Sequence, residues 1–154
     1  MKNTYHLFVA ICIWGIFSFF SPSLIAQQSG LPQIELSAGM YRIEAELAHT
    51  PASRQIGLMQ RTGMPDNHGM LFIFPAQDRH CMWMRNTLIP LSVAFMDENG
   101  NILNIEHMQP QTENSHCAIA FARYALEMNR GWFDTHGIKA GMMIKGLDKL
   151  PAPN

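Results

Sequence analysis

The stretch Leu91–Met108 reads LSVAFMDENGNILNIEHM. Two apolar-rich runs, Leu91 to Met96 and Ile102 to Met108, flank Asp97-Glu98-Asn99-Gly100. Asn-Gly tolerates the positive φ angles of a tight reversal, so the stretch is expected to form a β-hairpin. Upstream, Met40 to Ala48 (MYRIEAELA) alternates, with Tyr41, Ile43, Ala45 and Leu47 on one face and Arg42, Glu44 and Glu46 on the other. That is the pattern of a half-buried strand. Thr50-Pro51 then opens a helix, Thr50 as the N-cap and Pro51 in the first turn, where its missing N–H costs nothing. The helix carries Ile56 and Met59 and is expected to stop near Gly63. Met64 to Gly69 reads as a loop. Met70 to Phe74 reads as a buried strand ended by Pro75, and His80 to Met84 alternates as a further strand. Downstream, Pro110 to Ser115 is polar loop, and Tyr124 to Asn129 fits either a strand or a helix. Trp132 to His136 is one helical turn ended by Gly137, and Gly141 to Gly146 is a last short strand. Strands about ten residues apart, separated by turns, predict a mainly β fold with short helices: a small antiparallel β-barrel or sandwich.

The chain has 154 residues, 47% of them hydrophobic, with nine Phe and three Trp. Such content supports one packed core and excludes disordered and fibrous classes. Eleven Lys+Arg stand against twelve Asp+Glu, a net charge of −1. No electrostatic footprint for nucleic acid or for an anionic membrane surface is present. Nothing in the sequence specifies an oligomeric state. At the N-terminus, Lys2 precedes an apolar run from Leu7 to Phe20, and Ser21-Pro22-Ser23 and Ala26 follow. This order reads as a cleavable signal peptide over residues 1–26, since the run is shorter than the ~20 residues of a membrane span. The alternative is an uncleaved single N-terminal membrane anchor. Either way the domain is expected outside the cytoplasm, periplasmic or secreted, with no membrane contact after cleavage. Residues 27–39 read as linker and N-terminal extension, and residues 40–150 as one domain. Of three Cys, Cys12 falls in the removable run, leaving Cys81 and Cys117. An even pair in an oxidising compartment is expected to form a disulfide. Two free buried thiols or a redox pair are the alternatives, the latter without any C-x-x-C spacing.

Several segments resemble one bacterial and archaeal family. Arg54-Gln55-Ile56-Gly57-Leu58-Met59-Gln60-Arg61 resembles its R-x-x-G-L-M-x-R element, and Gly69-Met70-Leu71-Phe72 with Phe74 its G-M-L-F-x-F strand. Trp83-Met84-Arg85-Asn86-Thr87-Leu88-Ile89-Pro90-Leu91 resembles W-M-[KR]-N-T-x-x-P-L. Leu126-Glu127 with Gly131, then Gly137-Ile138 and Gly141, resemble its closing elements. In order and spacing, from about Tyr41 to Ile144, the chain is similar to domain-of-unknown-function family 192, an uncharacterised exported family. The resemblance implies a compact, mainly β domain with short helices and carries no activity with it. Ser92 and Met142 stand where the family pattern has Asp.

Three functional readings follow from the residues. Asn86-Thr87 can simply cap a turn through their side chains. Alternatively they line a pocket with Trp83, Arg54, Arg61 and Glu127. On an unbroken helix Arg54 and Arg61, two turns apart, would share a face and clamp an anion, with Glu127 as their carboxylate partner or as a neighbour in a ligand site. A small-molecule or anion binding module, with no cofactor, is the leading expectation. The second reading is copper handling by His80, Met82 and Met84, alternate residues about 6.6 Å apart along a strand with donors suited to Cu(I). The other reading is that the Met residues, twelve in the chain, are flexible core filler, their more common role. The third is an enzyme using Glu127 as acid/base. G-x-S-x-G, P-loop and H-E-x-x-H motifs are absent.

The targeting segment sets an expected outcome. N-terminal sequencing of the protein from a periplasmic extract should start near Gln27. Recovery of intact Met1 in the membrane fraction would establish the anchor instead.

Overall fold

The computed structural model describes residues 30–150. The segment read as a signal peptide, residues 1–26, lies outside them. Strand β1 (Gln33–Ala38) turns at Gly39-Met40 into β2 (Tyr41–Ala48), followed by helix α1 (Pro51–Ile56) and the long β3 (His68–Asp78). A two-residue β4 (Cys81–Met82) precedes β5 (Leu91–Met96) and β6 (Ile102–Met108). Then come β7 (His116–Cys117), β8 (Ala122–Asn129), helix α2 (Trp132–Thr135), β9 (Ile144–Lys145) and a 3-10 turn at Leu147–Lys149. The main sheet runs β6-β5-β8-β3-β2-β1-β9, and β4 and β7 form a separate pair. The sheet curls until its two ends meet: Asn101, before β6, bridges Met143, before β9. The result is a half-barrel, mainly β with two short helices. Among the described residues no helix is long and apolar enough to cross a membrane.

The Leu91–Met108 hairpin forms as expected. Asp97 organises its turn: Oδ1 accepts from the N–H groups of Asn99 and Asn101 at 2.8 and 2.9 Å, and Oδ2 from the Asn101 amide at 2.8 Å. The segment left undecided, Tyr124 to Asn129, is strand. It sits in the middle of the sheet, pairing β3 from Gly69↔Met128 to Ile73↔Tyr124 and β5 from Leu91↔Asn129 to Met96↔Tyr124. Two ladders satisfy its backbone groups, which settles what local periodicity leaves open.

Four expectations need correction. Residues 33–38 are not linker: Ile34, Leu36 and Ala38 face the core while Gln33, Glu35 and Ser37 pair with Glu46, Glu44 and Arg42 of β2. The sheet is not wholly antiparallel, because α1 carries the chain across so that β3 joins β2 in parallel, Glu44↔His68 to Ala48↔Phe72. α1 ends at Ile56, not near Gly63, because Gly57 takes φ +49° and a side chain there would press on the Phe72 ring at 3.1 Å. β3 does not stop at Pro75. It continues to Asp78, with irregular pairing beyond Ile73 that accommodates the missing N–H. The N-terminal cap of α1 is as expected: Ser53 N–H donates to Thr50 Oγ1 at 3.1 Å, and Thr50 N–H donates to Ser53 Oγ at 2.9 Å.

Apolar side chains cover both faces of the sheet. One cluster holds Leu36, Ile43, Leu71, Leu126, Met128 and Phe133. The other holds Met70, Phe72, Met84, Val93, Phe95 and Met108. Over the second face lie α1, the connecting segments 57–67 and 83–90, and the small sheet. There Cys81 pairs with Cys117 in register and the two sulfurs are bonded. Asn104 on β6 ties this pair to the main sheet, its amide donating to the Cys117 carbonyl at 3.1 Å and its Oδ1 accepting from Ile119 N–H at 3.2 Å.

The cross-link joins residues 36 apart in sequence, worth about 4 kcal/mol by loop-closure entropy. Unreduced peptide mapping should recover the Cys81 and Cys117 peptides as one species. The Cys81→Ser/Cys117→Ser variant should lose on the order of 2–5 kcal/mol in urea unfolding. Unchanged stability would mean that the Asn104 bonds hold the small sheet unaided.

Candidate functional site

A cavity of about 150 Å³ opens between α1, β3, the β4 segment and β8. That is the room of about five waters at ~30 Å³ each, or one small organic molecule. β3 alternates Phe72 and Phe74 into it, while Met70 and Phe95 pack the same face. β4 brings Met82, the chain after it brings Trp83 and Thr87, and α1 brings Arg54 and Ile56. β8 contributes Glu127, which stands opposite Met70 on β3 and Val93 on β5. Alternation along β8 sends Ala125 and Glu127 to this face and Leu126 and Met128 to the other. A carboxyl is thereby carried into an apolar layer, 3% exposed.

Of the six residues expected to form one site, four line this cavity: Arg54, Trp83, Thr87 and Glu127. Arg54 is held from behind, its Nη1 donating to the carbonyls of His49 at 2.6 Å and Ile73 at 3.0 Å. Nη2 and Nε have no protein acceptor among the described residues. Arg61 is elsewhere: its fork grips Glu46 through two bonds of 2.5 and 2.6 Å, and the pair is largely buried. The expected meeting of both arginines at Glu127 therefore does not occur, because the chain turns at Gly57 and the two side chains part. Asn86 is a turn residue at φ +58° whose carbonyl accepts from Gln60 N–H at 2.9 Å, and it does not line the cavity. Thr87 is 5% exposed, its N–H donating to the Met84 carbonyl at 3.0 Å. Trp83 is 47% exposed at the rim, with the Arg85 guanidinium 5.8 Å from its ring centre.

His80, Met82 and Met84 do not share a strand face, because β4 ends at Met82. The His80 ring stacks on Phe74 at 3.7 Å and its Nε2 bonds the Ala76 carbonyl at 2.9 Å. Met82 borders the cavity, and Met84 is fully buried in the core. Among the described residues no three His, Cys, Asp or Glu side chains cluster as metal ligands would. The aromatic wall, Phe72 and Phe74, lay outside the expected site. Their alternation in Met70 to Phe74 was the available signal, since residues two apart on a strand share a face.

Ser92, one of the two departures from the family pattern, has a structural role. Fully buried on β5, its Oγ accepts from Gly131 N–H at 3.1 Å and shares a 2.8 Å bond with His107 Nδ1 on β6. His107 Nε2 lies 3.3 Å from Asp134 of α2. The chain Gly131–Ser92–His107–Asp134 fastens α2 to the sheet edge. Ser92 Oγ is closed to any substrate.

Comparison with known proteins gives a family. The chain belongs to domain-of-unknown-function family 192, described as "Uncharacterized ACR", whose model matches residues 34–146. No curated protein matches it by sequence. Two crystal structures are similar. One, from Sinorhizobium meliloti 1021, is described as a "putative transcription regulator"; it is 33% identical at a TM-score of 0.69, covering 74% of this chain and 92% of its own. The other is a protein of unknown function from Novosphingobium aromaticivorans DSM 12444. It is 33% identical at a TM-score of 0.70, covering 77% of this chain and 89% of its own.

Family membership leaves the chemistry to be read from the site, where Glu127 is the unusual group. Burial pushes its carboxyl from the ordinary 4.5 up to about 8, with no compensating charge or hydrogen bond among the described residues. The ionised form is penalised only in the folded state. Its contribution to stability is therefore complete below about pH 4.5 and is lost progressively as pH rises toward 8, at about 1.4 kcal/mol per unit. Glu127→Gln keeps the shape without the ionisation. Between pH 4.5 and 7 the variant should gain on the order of 3 kcal/mol over wild type in urea unfolding. A stability gap that stays constant with pH would show that the carboxyl is solvated.

Proposed function

We propose that this member of the family is an exported small-molecule binding module whose ligand occupies the cavity between Arg54 and Glu127. One observation carries the reading. Glu127 is a buried polar side chain, unpartnered among the described residues, set in the wall of a cavity. Buried polar groups find partners in nearly every native structure, and an orphan facing open space marks where one arrives from outside. Apolar walls with a few convergent polar groups are the usual form of a ligand site.

The same carboxyl, protonated at neutral pH, could serve a general acid. Binding is the better-supported reading, because among the described residues the cavity offers no second carboxylate, His or free thiol to complete a reaction. Export is supported by the charged, apolar and small-residue order of residues 1–26 and by a disulfide, which persists in oxidising compartments. Regulation of transcription, the description that the Sinorhizobium protein carries, has no electrostatic support in this chain. Its net charge of −1 provides no attraction for phosphate backbones.

Native mass spectrometry of the protein from a periplasmic extract should reveal a bound small molecule. Arg54→Ala should weaken rebinding about 10- to 100-fold, the loss of one charge-assisted bond. Arg61→Ala should leave the affinity unchanged although it removes an ion pair. Equal loss in both variants would place the ligand elsewhere.

A further inference from the structure

Resting on that cavity as a binding site, we infer that its ligand is a small monocarboxylate with an apolar body, bound only while Glu127 carries its proton.

The chemistry of the walls selects the class. Arg54 is the charged side chain that lines the cavity with Glu127, and among the described residues its Nη2 and Nε have no acceptor. A fork of this kind suits a carboxylate. A cationic ligand would face the guanidinium and would need Glu127 ionised in a layer that disfavours the ion. A phosphate dianion would have to leave water for a cavity walled by Phe72, Phe74, Met82 and Trp83 with one guanidinium to offset the loss. A monocarboxylate meets both groups on favourable terms. The guanidinium neutralises it, and a neutral Glu127 donates an O–H···O⁻ bond that an ionised Glu127 would replace with repulsion. The apolar body packs against the phenylalanines, and the volume of about 150 Å³ has room for a short aliphatic or single-ring acid.

The groups around Glu127 make the coupling specific to it. β3 presents Met70, Phe72 and Phe74, and β5 presents Val93. The β4 segment presents Met82, Trp83 and the bonded Cys81, and α1 presents Arg54. His80 stands behind the Phe74 ring. Glu127 is the one acidic side chain among the described residues that line the cavity.

Calorimetric titration of the full mature chain with benzoate, benzamide and benzylamine from pH 6 to 9 tests this. Benzoate should bind best, with an affinity nearly flat from pH 6 to 7. Above about pH 8 it should fall toward tenfold per unit. Repeating the titration at pH 9 in buffers of different ionisation enthalpy should show uptake approaching one proton per benzoate bound. Glu127→Gln, which donates without ionising, should bind benzoate with no fall to pH 9. Benzoate binding without proton uptake in wild type overturns the inference, whatever the variant does. Benzamide or benzylamine binding in preference to benzoate also overturns it while leaving a binding cavity in place. Failure of all three probes, with no small molecule on the native protein, overturns both.

Discussion

The structure depends on the placing of β8 between β3 and β5. Its two ladders join the β1–β2–β3 half of the sheet to the β5–β6 hairpin, which otherwise meet at the far edges through the Asn101–Met143 bridge. A strand in that position has side chains buried on both faces. Leu126 and Met128 answer to one core cluster and Ala125 to the other. Closeness is part of the arrangement: at Gly69 on β3 a side chain would meet the Glu127 carbonyl at 2.6 Å, so the absence of a Cβ lets β3 and β8 approach. Glu127 inherits its isolation from this position. Its desolvation is a consequence of where the central strand must lie.

The second core face would be a plain apolar surface if the sheet were all. Three short pieces roof it instead, each held by its own local chemistry. α1 is nucleated by the Thr50–Ser53 box and stopped at Gly57. The β4–β7 pair is two residues per strand, too short to persist by backbone bonds alone, and is secured by its disulfide and by Asn104. The turn through Asn86 is joined to the far side of α1 by Gln60 N–H. Such pieces cover the face without filling it, and the remaining gap is the cavity. Its rigid wall is the sheet, with Phe72, Phe74 and Glu127, while Arg54 and Trp83 come from the roof.

What the sequence reveals follows the range of the interactions. The Asp97–Gly100 turn, the alternation of β2 and the Thr50 cap are decided within a few residues, and each is legible. β8 is ambiguous by periodicity because its strand character comes from partners 28 to 38 residues away in β5 and 44 to 59 away in β3. β4 and β7 are visible only as two cysteines. At the site, Trp83, Thr87, Arg54 and Glu127 could be picked out because polar types beside apolar runs need partners. Arg61 could not be separated from them, since its partner Glu46 sits on a strand face that reads as solvent-exposed. The spacing of Arg54 and Arg61 misleads for one reason: a single glycine at position 57 ends the helix between them.

Two carboxylate positions show how the fold treats charge near its core. Where the family pattern carries Asp, Ser92 meets Gly131 and His107 by hydrogen bonds that need no ionised group, so a neutral residue can hold the junction of β5, β6 and α2. At Glu127 the opposite holds, for an apolar residue there would be satisfied by the surrounding Met70, Val93 and Phe72, and the carboxyl is not. Replacing an unpaired buried acid by a hydrophobic residue of similar size generally stabilises a protein. A group that costs the fold on the order of 3 kcal/mol at pH 7 is therefore not accounted for by packing, and that cost is what supports the proposed ligand site.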